Sequence, residues 1–250
     1  MNIVLFLAGV LDPKWPLTLC EGALPETQPD RVVMSPFDES ALETALRIRD
    51  ANPGTQIRAI VAGSPASEKI ARTVLALNVA DVSLLDLGDA WNQNAVATQL
   101  ASQCGEADLV LIGREFGDCD DGLVPPMAAA LTGRHFFGRV QAVEASGDIR
   151  LMREAGASEQ WLAVSGPTLA SVTNDRRNRL RKPLMKNVMM ARQAAVAQIV
   201  APPSAPSPIG LGGVDTLAAA RAPVNCRWIE GSTVEQAQAV AALLRQAAPA

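Results

Sequence analysis

Short apolar runs alternate with segments of helical periodicity through the first 145 residues of this chain. The apolar runs at residues 2–10, 56–63, 81–87, 108–113 and 138–145 are predicted strands. Between them, apolar side chains recur at helical spacing, as in Ile70, Val74 and Leu77. This alternation is typical of a parallel sheet with helices on both faces. The sequence therefore predicts an α/β fold built on a doubly wound, mostly parallel sheet of five strands.

The pattern changes after residue 145. Short strands are predicted around glycine-rich turns at residues 148–154, 160–164 and 168–172, which indicates a small antiparallel extension. Earlier in the chain, the segment 11–33 contains four prolines and no clean period. We therefore expect a long loop between the first strand and the first helix.

The C-terminal part of the chain has a different composition. The proline-rich segment 202–208 predicts a linker, because so much proline is incompatible with a helix or an internal strand. Helical spacing returns at residues 233–247. We therefore expect one α/β domain over residues 1–195 and a linker with a C-terminal arm over residues 196–250.

Charge and cysteine usage exclude several functions. The net charge is −4 at pH 7, which provides no general attraction to nucleic acid or to an anionic membrane. The four cysteines form no CxxC pair, so neither a zinc site nor a disulfide framework is expected, and a cytoplasmic location is predicted. The apolar N-terminal run has no basic residues before it and is shorter than the roughly 20 residues that span a bilayer. We therefore expect no direct membrane insertion.

The composition also argues against an enzyme. The chain has one histidine, His135, and no tyrosine. Most general acid–base schemes and histidine-assisted nucleophiles need such side chains. We therefore expect no catalytic constellation and no metal site.

A loop rich in aspartate and glycine follows the predicted strand 108–113. Pro125 or Pro126 can open a helix after it, because proline lacks the N–H group that would be unpaired there. In an open parallel sheet, ligands bind beyond the carboxyl ends of the strands, where glycines admit a ligand to the backbone and helix N–H groups attract anions. The loop therefore predicts a nucleotide-type pocket.

A second helix start is predicted at Ser35. Its hydroxyl can cap the free N–H groups, and Pro36 suits the first helical position. Asp38 and Glu39 complement the positive end of the helix. A helix start alone accounts for these residues.

A basic segment runs through residues 176–192. Its arginines and lysines are interleaved with leucine, valine and methionine, among them Leu184, Met185, Val188 and Met189. Such a segment is usually a solvated charged face. A flexible apolar cluster between arginines is also typical of an adaptable docking surface, and the composition leaves both interpretations open.

Taken together, several segments resemble the beta subunit of electron transfer flavoprotein. Residues 35–47 are similar to the family's Asn-Pro-Phe/Tyr-Asp/Cys-Glu segment and the helix after it. Residues 108–125 resemble its strand and Asp-Gly-Asp-Thr-Gly-Gln-Val loop, and residues 153–173 its Arg-Glu…Glu…Leu-Pro-Ala-Val-Val-Thr run. Asn178, Arg181 and residues 187–189 match its Asn-Glu-Pro-Arg-Tyr…Asn/Gly-Ile-Met-Lys-Ala pattern. The matches cover roughly residues 1–195 in the right order.

The resemblance implies an adenine nucleotide alpha hydrolase-like fold and a role in electron transfer. In that family an alpha subunit holds FAD, and the heterodimer carries electrons from dehydrogenases to a membrane quinone oxidoreductase. The beta subunit has no chemistry of its own, and AMP occupies its pocket as a structural ligand. Its implied partners do not include nucleic acid.

The resemblance also implies which residues bind. Those of the cofactor-binding pocket are Phe6, Ala8, Ser35, Phe37, Ala62, Gly63, Asp118, Asp120, Asp121, Gly122, Leu123 and Val124. Within it, Phe37 corresponds to an aromatic position close to the flavin, and the free amides of residues 122–124 are expected to bind the AMP phosphate. The partner-docking residues are Leu184, Met185, Val188 and Met189, with Met185 as the hydrophobic anchor.

This chain departs from the family pattern inside the pocket. Ala8 stands where the family has a lysine, and Ser35 where it has an asparagine. Asp121 and Leu123 replace a threonine and a glutamine of the loop. Each change removes a polar contact.

Two other functions remain open. A stand-alone adenine-nucleotide sensor of the universal-stress type shares the strand–helix alternation, but its G-x-x-G-x(9)-G phosphate motif is missing here. An enzyme of the nucleotide alpha hydrolase group needs a serine- and glycine-rich phosphate loop after the first strand, and residues 8–14 match one poorly.

Overall fold

The computed structural model describes residues 1–14, 31–87, 92–118, 120–201, 226 and 228–247. The described residues up to 201 belong to one unit and those from 226 onward to another. The strands, in chain order, are β1 (Asn2–Leu11), β2 (Val32–Met34), β3 (Gln56–Gly63), β4 (Asp81–Asp86), β5 (Leu109–Gly113), β6 (His135–Val140), β7 (Ala142–Glu144), β8 (Arg150–Ala155), β9 (Ser158–Ala163), β10 (Thr168–Val172) and β11 (Ala197–Val200). The helices are α1 (Pro36–Ala51), α2 (Glu68–Ala76), α3 (Gln93–Gln103), α4 (Val124–Thr132), α5 (Met185–Ala191) and α6 (Thr233–Ala247).

A mostly parallel sheet organises the first unit. Within the described residues its strand order is β11-β4-β3-β1-β5-β10-β6, and β2 pairs antiparallel with the end of β1. A separate antiparallel sheet has the order β7-β8-β9. The predicted α/β class, the mostly parallel sheet and the small antiparallel extension are confirmed.

Helices cover both faces of the parallel sheet. Successive side chains of a strand point to opposite faces, so Leu5 and Leu7 of β1 pack in the cluster that contains α1 and α2. Phe6 packs in the cluster that contains α3 and α4. All three side chains are fully buried, and burying each contributes about 1.5–3 kcal/mol of transfer free energy. The run Ile3–Ala8 is apolar throughout because both faces of β1 are covered.

Two strands were placed wrongly by the sequence pattern. Residues 168–172 were expected in the antiparallel extension, but β10 lies in the parallel sheet between β5 and β6. All five of its residues are buried, which suits an interior strand covered on both faces. The predicted strand 138–145 is divided between β6, at the edge of the parallel sheet, and β7, in the antiparallel sheet. The main sheet therefore has more strands than the five expected.

The described residues include parts of the predicted loop 11–33 and of the predicted linker and C-terminal arm. β2 lies within the predicted loop 11–33, whose residues 15–30 are outside the described part of the chain. β11 continues the sheet past residue 195, and the predicted linker 202–208 is also outside the described residues. The predicted C-terminal helix is confirmed as α6. None of the helices described combines the length and apolar character needed to cross a bilayer.

Candidate ligand site and docking surface

β1 is the topological switch point of the parallel sheet. The sheet grows through β3 and β4 on one side of β1 and through β5 and β10 on the other. In open α/β sheets, a crevice for ligands lies beyond the carboxyl ends of the strands at such a point. The structure brings together here the end of β1 and the loop that follows β5, because the two strands are parallel neighbours.

The start of α1 forms one wall of this crevice. Ser35 is buried, and its hydroxyl accepts a hydrogen bond from the Asp38 N–H group at 3.0 Å. Pro36 occupies the first turn, where its missing N–H group costs nothing. The predicted capping role of Ser35 is confirmed. One lone pair of its hydroxyl oxygen is therefore already used at the helix start.

Asp38 has a role that the sequence did not indicate. Its side chain is fully buried, and Oδ2 accepts a hydrogen bond from the Ala8 N–H group of β1 at 3.1 Å. The other oxygen, Oδ1, lies against Gly113 and has no well-formed hydrogen bond to a described residue. Burial raises the pKa of Asp38 from 3.8 to about 7, although the hydrogen bonds from Ala8 and Ser35 act to lower it. A helix start alone therefore does not account for Asp38.

Asp118 joins the first strand to the loop after β5. Its Oδ2 accepts a hydrogen bond from the Leu11 N–H group at 2.9 Å. Desolvation raises the pKa of Asp118, and the Leu11 hydrogen bond opposes that change. One predicted ligand-binding carboxylate is thus already bonded to the backbone of β1.

Asp120 takes the backbone amides that were expected to be free. Its Oδ1 accepts hydrogen bonds from the N–H groups of Gly122 at 3.0 Å, Leu123 at 2.9 Å and Val124 at 3.2 Å. Its Oδ2 accepts a fourth from the Phe116 N–H group at 2.8 Å. The expectation that residues 122–124 offer free amides to a phosphate is therefore wrong. Asp120 is buried because the loop folds around its carboxylate.

The other predicted pocket residues lie in three different environments. The side chains of Phe6, Ala8 and Ala62 are fully buried in the core, in the cluster that α3 and α4 cover. Asp121 is exposed, and its Oδ1 accepts a hydrogen bond from the Gln93 side chain at 3.0 Å. Gly63 lies at the end of β3, close to the Ser67 hydroxyl.

A cavity of about 580 Å³ opens beside the crevice. Phe37 lines it with apolar side chains such as Val10 and Met34. The Arg114 guanidinium lies 5.1 Å from the centre of the Phe37 ring, which is within the range of a cation–π contact. The charged groups among its described lining residues are the acids Asp12, Glu39, Glu115, Asp118 and Asp120, and one cation, Lys14. The cavity combines an aromatic wall with a negative potential.

The predicted docking residues lie on and beside α5. Leu184, Met185 and Met189 are 69%, 75% and 57% exposed, whereas Val188 is half-buried. Met190, which was not among the predicted docking residues, is 63% exposed. We call Leu184, Met185, Met189 and Met190 the methionine surface. Large apolar side chains are seldom left in water together without a partner.

The methionine surface stands on a firmly bonded base. Arg72 of α2 donates hydrogen bonds to the carbonyl groups of Ala191 at 2.9 Å and Arg192 at 2.6 Å, at the end of α5. Before α5, the Arg181 guanidinium pairs with the buried Glu43 carboxylate of α1 at 2.7 Å. These bonds hold the backbone of α5 while its methionine side chains remain adaptable.

Comparisons with known proteins agree with the resemblance of the motifs. The model of the family described as "Electron transfer flavoprotein domain" matches residues 26–204. The chain is 27% identical over 173 residues to the electron transfer flavoprotein subunit beta of Bradyrhizobium diazoefficiens, covering 67% of this chain and 68% of that protein. It is 30% identical over 173 residues to the corresponding subunit of Syntrophomonas wolfei, with 68% of each chain covered. It is also 32% identical over 119 residues to the caffeyl-CoA reductase-Etf complex subunit CarD of Acetobacterium woodii, covering 46% of this chain and 43% of that one.

Proposed function

The chain belongs to the electron transfer flavoprotein family, and from that premise we propose that it is the beta subunit of a cytoplasmic heterodimer that carries electrons. In this proposal an alpha subunit supplies most of the FAD site. This chain contributes one wall of that site and a docking surface. The heterodimer accepts electrons from dehydrogenases and passes them toward the quinone pool through a quinone oxidoreductase.

The wall toward the flavin is proposed at Phe37. Its half-buried ring and the apolar side chains of Val10 and Met34 suit a flat aromatic group. FAD supplies the capacity to accept and release electrons when it is bound. Phe37 excludes water from that side, and Arg114 keeps the ring in place through the cation–π contact.

The methionine surface is the observation that carries the docking role. It exposes four large apolar side chains, three on α5 and one just before it, and Arg72 fastens the end of this helix. Methionine is enriched in protein interfaces, where a few anchor residues contribute most of the binding energy. The relative from Acetobacterium woodii is named as part of a complex with a reductase. We therefore propose that an electron-donating dehydrogenase binds this surface, with Met185 as the anchor.

AMP, the structural ligand that the resemblance implies, finds few free donors among the described residues of this edge of the sheet. The amides that would bind its phosphate are bonded to Asp120, and the neighbouring cavity is lined mainly by acids. No part of the proposed function depends on AMP. The same observation argues against a stand-alone adenine-nucleotide sensor.

Co-expression with an electron transfer flavoprotein alpha subunit from the same genome tests the proposal. We expect a one-to-one complex that contains one FAD and shows a flavin absorption spectrum. The complex is then mixed with candidate dehydrogenases and their substrates, and bleaching of the flavin absorbance measures electron acceptance. A chain that stays colourless and does not bind the alpha subunit would refute the heterodimer.

A further inference from the structure

The methionines of this chain differ sharply in their exposure to solvent. All seven lie within the described residues. Met185, Met189 and Met190, which belong to the methionine surface, are each more than half exposed. The other four range from 37% exposed at Met1 to 1% exposed at Met152. The three sulfur atoms most open to a dissolved reagent are therefore all on α5.

A methionine thioether that is open to solvent can be oxidised to a sulfoxide, and hydrogen peroxide is a sufficient oxidant. The sulfur attacks one oxygen of the peroxide, so that an S–O bond forms and the O–O bond breaks. The proton of the transferred oxygen passes to the departing hydroxide, which leaves as water. The sulfur is oxidised by two electrons and the peroxide is reduced by the same two.

Oxidation changes the character of the methionine surface. Three of its four side chains carry sulfur, and Leu184 alone does not. Met185 and Met189 are four residues apart, so they lie on the same face of α5. A sulfoxide is polar, and burying it against an apolar partner without a hydrogen bond is unfavourable. An oxidised surface therefore no longer suits a pocket that receives apolar side chains.

The sequence places more sulfur here than the family pattern requires. The Asn/Gly-Ile-Met-Lys-Ala pattern accounts for Met189 only. Met190 stands where that pattern has a lysine, and a lysine side chain does not undergo this oxidation. The group of three thioethers is thus a feature of this chain.

The fold does not depend on these thioethers. Arg72 holds the end of α5 through the carbonyl groups of Ala191 and Arg192, at 2.9 Å and 2.6 Å. The Asn187 side chain donates to that of Asn78 at 3.1 Å. These bonds join arginine, asparagine and backbone groups, so an oxygen added to a methionine sulfur breaks none of them. Oxidation is expected to alter the surface and to leave the backbone beneath it in place.

We propose that Met185, Met189 and Met190 form an oxidation site, through which peroxide stops a dehydrogenase from docking. The proposal rests on the docking role proposed for the methionine surface. Sulfoxide reductases convert methionine sulfoxide back to methionine, so the modification is reversible. Electron transfer from the dehydrogenase falls when the site is oxidised and returns when it is reduced.

The first test locates the oxidation and needs no partner protein. The full chain is treated with a limiting amount of hydrogen peroxide, the reaction is stopped with catalase, and peptides are analysed by mass spectrometry. We expect an added oxygen atom on Met185, Met189 and Met190 before Met34 or Met127, which are half-buried. Equal or earlier oxidation of Met34 and Met127 would overturn the proposal. A loss of the native circular dichroism spectrum would do so as well.

The second test measures docking after oxidation. The heterodimer with FAD is treated in the same way, and kcat/KM for its reduction is measured with a dehydrogenase that reduces the untreated heterodimer. We expect kcat/KM to fall by about tenfold or more, as for loss of an interface anchor. A sulfoxide reductase with its reductant should restore the rate. An oxidised heterodimer that keeps its untreated rate would overturn the proposal.

Matched variants show which sulfur atoms matter. The triple variant Met185→Leu/Met189→Leu/Met190→Leu keeps apolar side chains and has no sulfur on α5. It is compared with its own rate before peroxide, which it should keep. Met127→Leu removes a methionine from α4 instead and should lose as much activity as wild type. Equal losses in the triple variant and wild type would overturn the proposal, because the damage would then lie elsewhere, for example at a cysteine.

Failure of the docking role can be told apart from failure of the oxidation site. If Met185→Ala leaves kcat/KM unchanged, the dehydrogenase does not use this surface, and both the docking role and the switch are refuted. If Met185→Ala lowers kcat/KM but oxidation of the same residue does not, the docking role stands and the switch alone is refuted.

Discussion

Asp38→Asn is expected to make the protein more stable at alkaline pH. The wild-type carboxyl is fully buried between β1 and β5, and burial raises its pKa from 3.8 to about 7. The protein must therefore either keep the proton on Asp38 or bury a charge whose Oδ1 has no well-formed hydrogen bond. Asparagine has nearly the same shape and no charge. Its carbonyl oxygen can still accept from the Ala8 N–H group.

The magnitude follows from the difference between the folded and unfolded pKa values. An acid whose pKa is higher in the folded state holds its proton longer there than in the unfolded chain, so the free energy of unfolding falls as pH rises through that interval. A pKa difference of one corresponds to about 1.4 kcal/mol. A rise from 3.8 to about 7 in Asp38 therefore removes up to about 4 kcal/mol of stability between pH 4 and pH 8. The negative charge of Glu39 adds to this cost in the wild type.

Urea denaturation of the full chain at half-unit steps of pH measures the effect. We expect the unfolding free energies of Asp38→Asn and wild type to converge near pH 4 and to separate steadily above it. Asp121→Asn serves as the control, since it removes an exposed carboxylate at the same edge of the sheet. A difference between Asp38→Asn and wild type that stays constant from pH 5 to pH 8 would refute the reasoning, because Asp38 would then titrate at its ordinary pKa.

The remaining predictions concern the docking surface and the end of α4. Met185→Ala in the heterodimer should lower kcat/KM for reduction by its dehydrogenase at least tenfold. Leu131→Ala replaces another exposed apolar residue, outside that surface, and should leave kcat/KM unchanged. Equal kcat/KM values for wild type and both variants would show that Met185 is not part of the interface. The free energy of unfolding should change by less than about 0.5 kcal/mol in both variants, because neither side chain is buried. Gly133 ends α4 with a φ of +65° and has no neighbour within 4 Å of a Cβ atom, so Gly133→Ala should cost about 1 kcal/mol through backbone strain alone. Gly54→Ala has the same free space and no positive φ, so its unfolding midpoint in urea should stay close to that of wild type; a matching loss in both variants would contradict the strain argument.

The sequence alone determined the features that depend on neighbouring residues. Alternating apolar runs and helical periods predicted the doubly wound sheet, because each element shows in its own spacing which face it buries. Ser35 and Pro36 predicted the start of α1 correctly, since a cap satisfies N–H groups within three residues of itself. The location of the 118–124 loop also followed, because parallel strands end at the same edge of a sheet.

Other features required the tertiary structure. The insertion of β10 between β5 and β6 is a choice among distant strands, and five buried residues carry no signal for which neighbours they pair with. The burial of Asp38 depends on Gly113, which lies on another strand and leaves room for its oxygen.

The site shows the same division. The motif placed an aspartate-rich loop at a helix start, and the sequence was compatible with a loop that binds an anion. Whether those amides face a ligand or a side chain depends on how the loop turns back on itself. In the folded chain Asp120 reaches four amides at once, which no pattern of spacing reveals. A helix cap involves residues close together in the chain, so the sequence shows it. Which acceptor a buried N–H group bonds to depends on where all competing acceptors lie in the folded protein, and only the tertiary structure fixes that.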